Sequence, residues 1–197
     1  MQDEMRLMTS HLKVATIIKR IMLRQLLNRL TENLPVRDIR VHGHKYLERY
    51  YVGTCFGYQV YIHRFLASDP DEEVHDHPWD AWTMILAGYY REETMFDDIL
   101  RIRRAFRPAK IGRHKFHRVH FPSELQDTWT LFIHGKRVKG WGFWDKAAQS
   151  YRPFALTAED NLHTDWWHTA PTGKQLREQE NDRHAQTSKP TEVRPIN

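Results

Sequence analysis

The stretch Phe56-Gly-Tyr-Gln-Val-Tyr-Ile-His-Arg-Phe65 predicts a β-strand, because its side chains divide into two alternating sets. Successive side chains of a strand point to opposite faces of a sheet. One predicted face therefore carries Phe56, Tyr58, Val60 and Ile62, and the other carries Gln59, Tyr61 and His63. This alternation is typical of a strand inside a sheet and not of a helix.

Aromatic and β-branched stretches of the same kind recur on both sides of this strand. Turn residues separate them, and no helical pattern interrupts the series. The further predicted strands are Tyr46–Val52, Trp82–Glu92, Ile99–Arg107, Phe116–Phe121 and Thr128–His134, with a short piece at Gly140–Trp144. Strand following strand in this way predicts an all-β fold, either an antiparallel sandwich or a barrel.

Two flanking segments differ from the strand region. Residues 10–31 carry apolar side chains at roughly helical spacing with basic residues between them. This pattern predicts an amphipathic helix that packs on the barrel or on a partner subunit. From residue 170 the chain is polar, which predicts a disordered tail. We therefore divide the chain into a helical segment (1–37), a barrel (38–169) and a tail (170–197).

The composition of the 197-residue chain excludes several classes of protein. The single cysteine, Cys55, rules out an internal disulfide framework and a cysteine-rich zinc site, and we expect it to be a buried, inert thiol. No apolar run is long enough to span a membrane, and the first residues do not form a secretory signal. These features predict a cytoplasmic protein without a membrane span.

The sequence His75-Asp76-His77-Pro78-Trp79-Asp80 carries the strongest local signal for chemistry. Residues i and i+2 of an extended segment point to the same side, so the imidazoles of His75 and His77 can reach one ion. Imidazole suits iron, zinc, nickel, copper and manganese. A second pair, His42 and His44, lies in a glycine-containing stretch, where we predict a loop.

A third ligand must come from elsewhere in the chain, and the segment Arg113–His120 contains three more histidines. On a strand, His117 shares one face with Val119, whereas His114 and His120 share the other. We expect His117 to be the third ligand, with His114 as the alternative.

These segments resemble the two motifs of the cupin superfamily. His75 and His77 match the histidine pair of the first motif, and Gly88 matches its closing glycine. The segment Pro108 to His117 resembles the second motif, with His117 in the ligand role. Small bacterial and bacteriophage cupin-like proteins are more similar still, over roughly residues 46–145. The stretches that carry this second resemblance are Tyr61-Ile-His-Arg-Phe65, His75-Asp-His-Pro-Trp-Asp80, His117-Arg-Val119, Thr128-Trp-Thr-Leu131 and Trp141-Gly-Phe-Trp144.

The resemblance implies a jelly-roll barrel, also called a double-stranded β-helix, with one divalent metal ion. Iron(II) is the leading expectation for the metal, with zinc, nickel or manganese as alternatives. The motif also has a glutamate, but its place falls at Ala81 or Trp82. Asp80 is the nearest carboxylate, and we include it as a candidate metal ligand beside its alternative role as an orienting neighbour.

Three further residues are candidates for catalysis. His63 and His134 lie on separate predicted strands, where each can face the cavity or belong to the core. Arg103 belongs to a basic block, residues 101–118, that contains no acid. An inward-facing arginine there can bind a substrate carboxylate or phosphate through two hydrogen bonds, and a solvated strand face is the alternative.

The leading hypothesis is an iron(II)-dependent oxygenase, a dioxygenase, that acts on a small anionic substrate. A second hypothesis keeps the barrel for a metal-assisted isomerase, epimerase or hydrolase. A third is a non-enzymatic cupin that binds a ligand, or nucleic acid through residues 1–30 and 101–118, where basic residues concentrate. A homodimer is left open as the assembly.

Overall fold

The computed structural model describes residues 2–41, 43–122, 127–155 and 165–187. Within these ranges the chain forms two α-helices, twelve strands and a 3-10 turn at Trp166–His168. The helices are α1 (Gln2–Leu30) and α2 (Gly173–Thr187). The strands are β1 (Val36–Val41), β2 (His44–Cys55), β3 (Tyr58–Phe65), β4 (Val74–His75), β5 (Ala81–Ala87), β6 (Tyr89–Thr94), β7 (Asp97–Arg104), β8 (Ala109–Ile111), β9 (His117–His120), β10 (Thr128–His134), β11 (Gly142–Asp145) and β12 (Ser150–Pro153).

The strands form two six-stranded sheets whose orders are β1-β2-β3-β10-β5-β8 and β12-β11-β4-β9-β6-β7. Within them β3 pairs with β10, β4 with β9, β5 with β8 and β6 with β7, all antiparallel. The chain from β3 to β10 is therefore one long hairpin, wrapped so that its successive strand pairs lie in alternate sheets. This arrangement is a jelly roll, and the predicted all-β jelly-roll barrel with an N-terminal helix is confirmed.

Gly88 explains the main difference between the predicted and observed strands. The predicted strand Trp82–Glu92 is broken at Gly88 into β5 and β6, which belong to different sheets. Gly88 has a φ of +84°, and a Cβ there would lie 2.6 Å from Oγ1 of Thr128. Only glycine fits both the backbone angle and this close approach.

The first sheet packs its outer face against both helices. Leu27 of α1 and Leu176 of α2 join Tyr50 and Trp129 in one buried cluster. The predicted disordered tail is therefore wrong for residues 173–187, and residues 188–197 lie outside the described part of the chain. Leu176 is buried, Arg177 donates to the backbone carbonyl of Asn28, and Glu180 pairs with Lys45. These contacts are made with distant parts of the chain, so the polar composition of the segment did not reveal them.

An ion-pair network fastens the helices to the same sheet. Asp127 accepts hydrogen bonds from Arg24 of α1 and from Arg64 of β3. Arg64 also contacts Glu48, and Glu48 pairs with Lys45 at 2.6 Å. Burial raises the pKa of Glu48, but the charge of Arg64 and hydrogen bonds from Lys45 and Tyr50 outweigh it, so the pKa lies below its ordinary value.

Several smaller expectations differ from the structure. Cys55 is exposed at the end of β2, not buried. His44 begins β2 instead of lying in a loop, and His42 lies outside the described residues. Strand β1 begins at Val36, so the first sheet starts before residue 38. No helix in the described ranges is both long and apolar enough to cross a membrane.

Candidate metal centre

The backbone around β4 turns His75 and His77 to the barrel interior and Asp76 away from it. Asp76 is buried and accepts a hydrogen bond of 2.9 Å from the backbone N–H of Gly142 on β11. Its other carboxylate oxygen accepts a hydrogen bond from Lys139. Because successive residues alternate, this anchoring fixes both histidines on the opposite side. The residue between the two histidines thus holds the pair in place.

His117 completes the cluster from β9. It lies opposite His75 in the β4–β9 ladder, and it is buried. The ligand nitrogens of His75, His77 and His117 all lie within 4.8 Å of one another, and Nε2 of His77 is 2.8 Å from Nε2 of His117. Nitrogens that each bind one metal at about 2.0–2.1 Å have separations of this order, so the set fits a divalent ion.

Glu92, which was not among the predicted site residues, orients His117. Oε1 of Glu92 lies 2.8 Å from Nδ1 of His117, on the ring edge opposite the cluster. Lys115 and Arg103 also donate to this buried carboxylate. Burial raises the pKa of Glu92, but the hydrogen bonds and charges of His117 and Lys115 together outweigh it, so the pKa lies far below its ordinary value. Its signal in the sequence was only a carboxylate at the end of the predicted strand Trp82–Glu92.

Burial also keeps two of the imidazoles neutral. It is the main cause that lowers the pKa of His75 and, more strongly, that of His77. The neighbouring histidine His117 acts in the same direction on both rings. A neutral imidazole is the form that binds a metal, so the site favours the ligand-ready state near pH 7.

Two of the other candidate ligands lie outside the cluster. The carboxylate of Asp80 binds the side chain of Arg113 at 2.7 Å and its backbone N–H at 3.0 Å. Asp80 therefore fastens the loop before β9 and does not join the three histidines. His114 is exposed, so it does not compete with His117.

The candidate catalytic residues have three different positions. His63 lies on the cavity wall and stacks on Phe132, with ring centroids 4.8 Å apart. His134 packs against Tyr61 and Trp79 near the edge of the cavity. Arg103 does not reach the cavity, because its guanidinium pairs with Glu92 and so contacts the cluster only through that carboxylate.

The three histidines lie in a cavity of about 650 Å³ between the two sheets. Aromatic residues form much of its wall, and polar side chains occur among them. The lining includes Tyr46, Phe65, Trp79, Phe132, Trp141 and Phe154 together with Arg37, Arg49, His63 and Thr130. A volume of this size is typical of a small-molecule site.

Half of the basic block is neutralised by pairing. Arg101 pairs with Asp97, Arg103 and Lys115 with Glu92, and Arg113 with Asp80. Half of its eight basic side chains thus have carboxylate partners, so the block does not form a continuous cationic stripe.

Several solved structures are similar to this chain. A cupin-2 domain protein from Rhodospirillum rubrum has a TM-score of 0.45 at 10% identity, over 66% of this chain and 79% of that one. A candidate mannose-6-phosphate isomerase from Ralstonia eutropha JMP134 gives 0.42 at 22% identity, over 50% and 92%. The iron(II) form of HppE with an alternative substrate gives 0.44 at 9% identity, over 53% and 57%. No family model and no curated protein matches the chain. The jelly-roll fold is established by the strand pairing and not by these modest scores.

Proposed function

We propose that the chain is a metal-dependent enzyme, an iron(II) oxygenase that acts on a small anionic substrate held in the cavity. The observation that supports this most is the convergence of His75, His77 and His117, with His117 oriented by Glu92. Three protein ligands leave open positions on a six-coordinate ion. A bound iron(II) ion would supply a site for dioxygen beside the substrate.

The chain itself performs the remaining tasks. Asp76 and Glu92 fix the directions of the imidazoles from outside the cluster. Trp141 stacks on Phe154 with ring centroids 4.2 Å apart, and both rings line the cavity. These rings cover part of the space beside the histidines, and a substrate bound against them would displace water from the reacting groups.

A second function, metal-assisted isomerisation or hydrolysis, is favoured by the ligand set. Three histidines without a carboxylate are also a known catalytic zinc set. In that case the metal acts as a Lewis acid and no oxygen is consumed. The two functions therefore differ in their requirement for oxygen and in their tolerance of zinc.

Anaerobic purification followed by metal analysis tests the common part of both proposals. We expect about one ion per chain, lost on His117→Ala and retained on His114→Ala, a histidine of the same segment that lies outside the cluster. Oxygen uptake by iron(II)-loaded protein with candidate substrates then separates the oxygenase from a zinc-tolerant, oxygen-independent enzyme. Metal-free protein whose stability does not respond to metal or chelator would contradict the metal site.

A further inference from the structure

Arg49 lies on the wall of the cavity in a row of side chains that crosses four strands. It is opposite His63 of β3, and the row continues through Arg37 on β1 and Thr130 on β10. All four residues line the cavity. Since directly opposed residues of a ladder are about 5 Å apart, the row brings positive charge to one wall of the histidine cavity.

The guanidinium of Arg49 has no acidic partner among the described residues. Its Nε donates to Nε2 of His63 at 3.2 Å, and its Cζ lies 5.6 Å from the ring centroid of Tyr61. Of the two acids on the cavity wall, Asp69 accepts from the backbone N–H of Val119. Asp38 pairs with Arg40 through Oδ2, and its buried Oδ1 has no hydrogen bond to the described residues. No described residue binds the terminal Nη groups of Arg49, which leaves them to a ligand as far as the described chain is concerned.

A partly buried charge without a counter-ion is costly, because protein atoms replace part of the water that would solvate it. Burial lowers the pKa of Arg49, because loss of solvation disfavours the charged guanidinium. Proteins accept such a cost at places where a ligand completes the interaction. Arg64 of the neighbouring strand shows the contrast, since it pairs with both Glu48 and Asp127.

Two neutral groups of the same cavity also lack partners. Nε1 of Trp79 and Oγ1 of Thr130 are buried, and neither forms a hydrogen bond with the described residues. Nearly all buried polar atoms of folded proteins are hydrogen-bonded. Both groups can donate, as can the Nη groups of Arg49. The cavity wall therefore presents donors to a ligand that accepts hydrogen bonds and carries negative charge.

We propose that Arg49 binds the carboxylate of a small organic acid and thereby selects the substrate. The paired Nη groups form a planar fork that matches the two oxygens of a carboxylate. The aromatic rings of Phe132, Trp141 and Phe154 enclose the remaining apolar part of the ligand. This assignment rests on the proposed function for the position of the reacting end, which lies at the three histidines.

The test is an anion titration of the full-length protein after removal of metal by chelation, so that a carboxylate cannot be bound by an ion. Acetate and benzoate are compared with their neutral isosteres acetamide and benzamide and with inorganic phosphate, by thermal shift and tryptophan fluorescence. We expect saturable binding of the two carboxylates, and binding of the neutral amides that is at least about tenfold weaker.

The variants are Arg49→Met and, as the matched control, Arg101→Met, which removes an exposed arginine that pairs with Asp97. Carboxylate binding should be lost in Arg49→Met and unchanged in Arg101→Met. Ligand-free Arg49→Met should also melt about 2 °C or more above the wild type, because an uncompensated charge has been removed. An arginine that serves only the structure would instead lower the melting temperature when replaced.

Three results would overturn the assignment: no carboxylate binding by the wild type, equal binding by Arg49→Met, or preferred binding of phosphate. Metal content of the same proteins before chelation is measured in parallel. If the wild type contains one metal ion before chelation but binds no carboxylate after it, only the Arg49 assignment is contradicted. A protein without metal that still binds carboxylates contradicts only the proposed metal chemistry.

Discussion

Nδ1 of His117 donates a hydrogen bond of 2.8 Å to Oε1 of Glu92. The direction follows from the carboxylate, because its lowered pKa keeps it ionised and able only to accept. The proton of His117 therefore lies at Nδ1, and Nε2 faces His77 with its lone pair. A buried glutamate thus selects the tautomer in which the histidine can bind a metal.

Replacement of Glu92 by glutamine should weaken metal binding by about 10–100-fold, the usual effect of losing the partner of a ligand histidine. The amide can present its N–H to Nδ1 and so favour the wrong tautomer. Competition with a chelating indicator measures the affinity, and circular dichroism checks the fold. Glu93→Gln is the matched control, because Glu93 pairs with His120 and Lys146 away from the cluster. Equal affinities of the two variants would contradict the role of Glu92.

The stability of the fold should fall in acid partly through Glu48. Its pKa is lower in the folded protein than in the unfolded chain, so the ionised carboxylate favours folding. This contribution is complete above the ordinary value of 4.5 and is lost as the pH falls through the folded pKa. Urea unfolding of the wild type and of Glu48→Gln between about pH 3 and 7 measures it. The two free energies of unfolding should differ by roughly 3 kcal/mol at neutral pH and converge in acid. A difference that is independent of pH would exclude this role.

Gly88→Ala should destabilise the protein by two separate effects. The left-handed backbone costs about 1–2 kcal/mol for a residue with a Cβ, and the new methyl group would also collide with Thr128. Gly57→Ala isolates the first effect, since Gly57 has a φ of +79° and no atom lies within 4 Å of the position that a methyl group would take there. Chemical denaturation should therefore show the larger loss for Gly88→Ala. Equal losses would mean that Thr128 moves aside freely.

Leu176→Ala tests whether α2 belongs to the folded unit. The side chain is 5% exposed and packs with Leu27 and Trp129, so its truncation should cost about 2–4 kcal/mol. Ile18→Ala on α1 is the control, because Ile18 is half exposed and should change the free energy of unfolding by less than about 0.5 kcal/mol. An unchanged melting temperature for Leu176→Ala would mean that α2 does not pack on the fold and that the predicted disordered tail is right for this segment.

Local sequence patterns were sufficient to predict the positions of the long strands. Thr128–His134 was predicted with the bounds of β10, and the alternation of Phe56–Phe65 correctly placed Tyr61 and His63 on one face. The strands β1, β4, β8 and β12 were not predicted, and β4 and β8, with two and three residues, are too short to display a period. Their pairing comes from partners distant in the chain, which a local pattern does not contain.

The residues of the candidate site also fall into those that local spacing predicted and those that it did not. The spacing of His75 and His77 and the parity of His117 with Val119 predicted the three residues that the fold brings together. Asp80 was chosen by nearness in sequence, but its partner Arg113 comes from the loop before β9. Glu92 and Arg49 each act through a cross-strand neighbour, so the register between strands decides their roles and the sequence does not display it.

The two-residue strand β4 joins the hairpin β11–β12 to the rest of the second sheet through only two residue pairs. Strand β4 pairs with β9 through a single residue pair, His75 and His117. Opening of this hairpin breaks few hydrogen bonds, so its amide hydrogens should exchange with solvent sooner than those of β3 and β10. An ion held by His75 and His117 would cross-link this narrowest ladder, and protection of the whole sheet edge would then rise with metal occupancy.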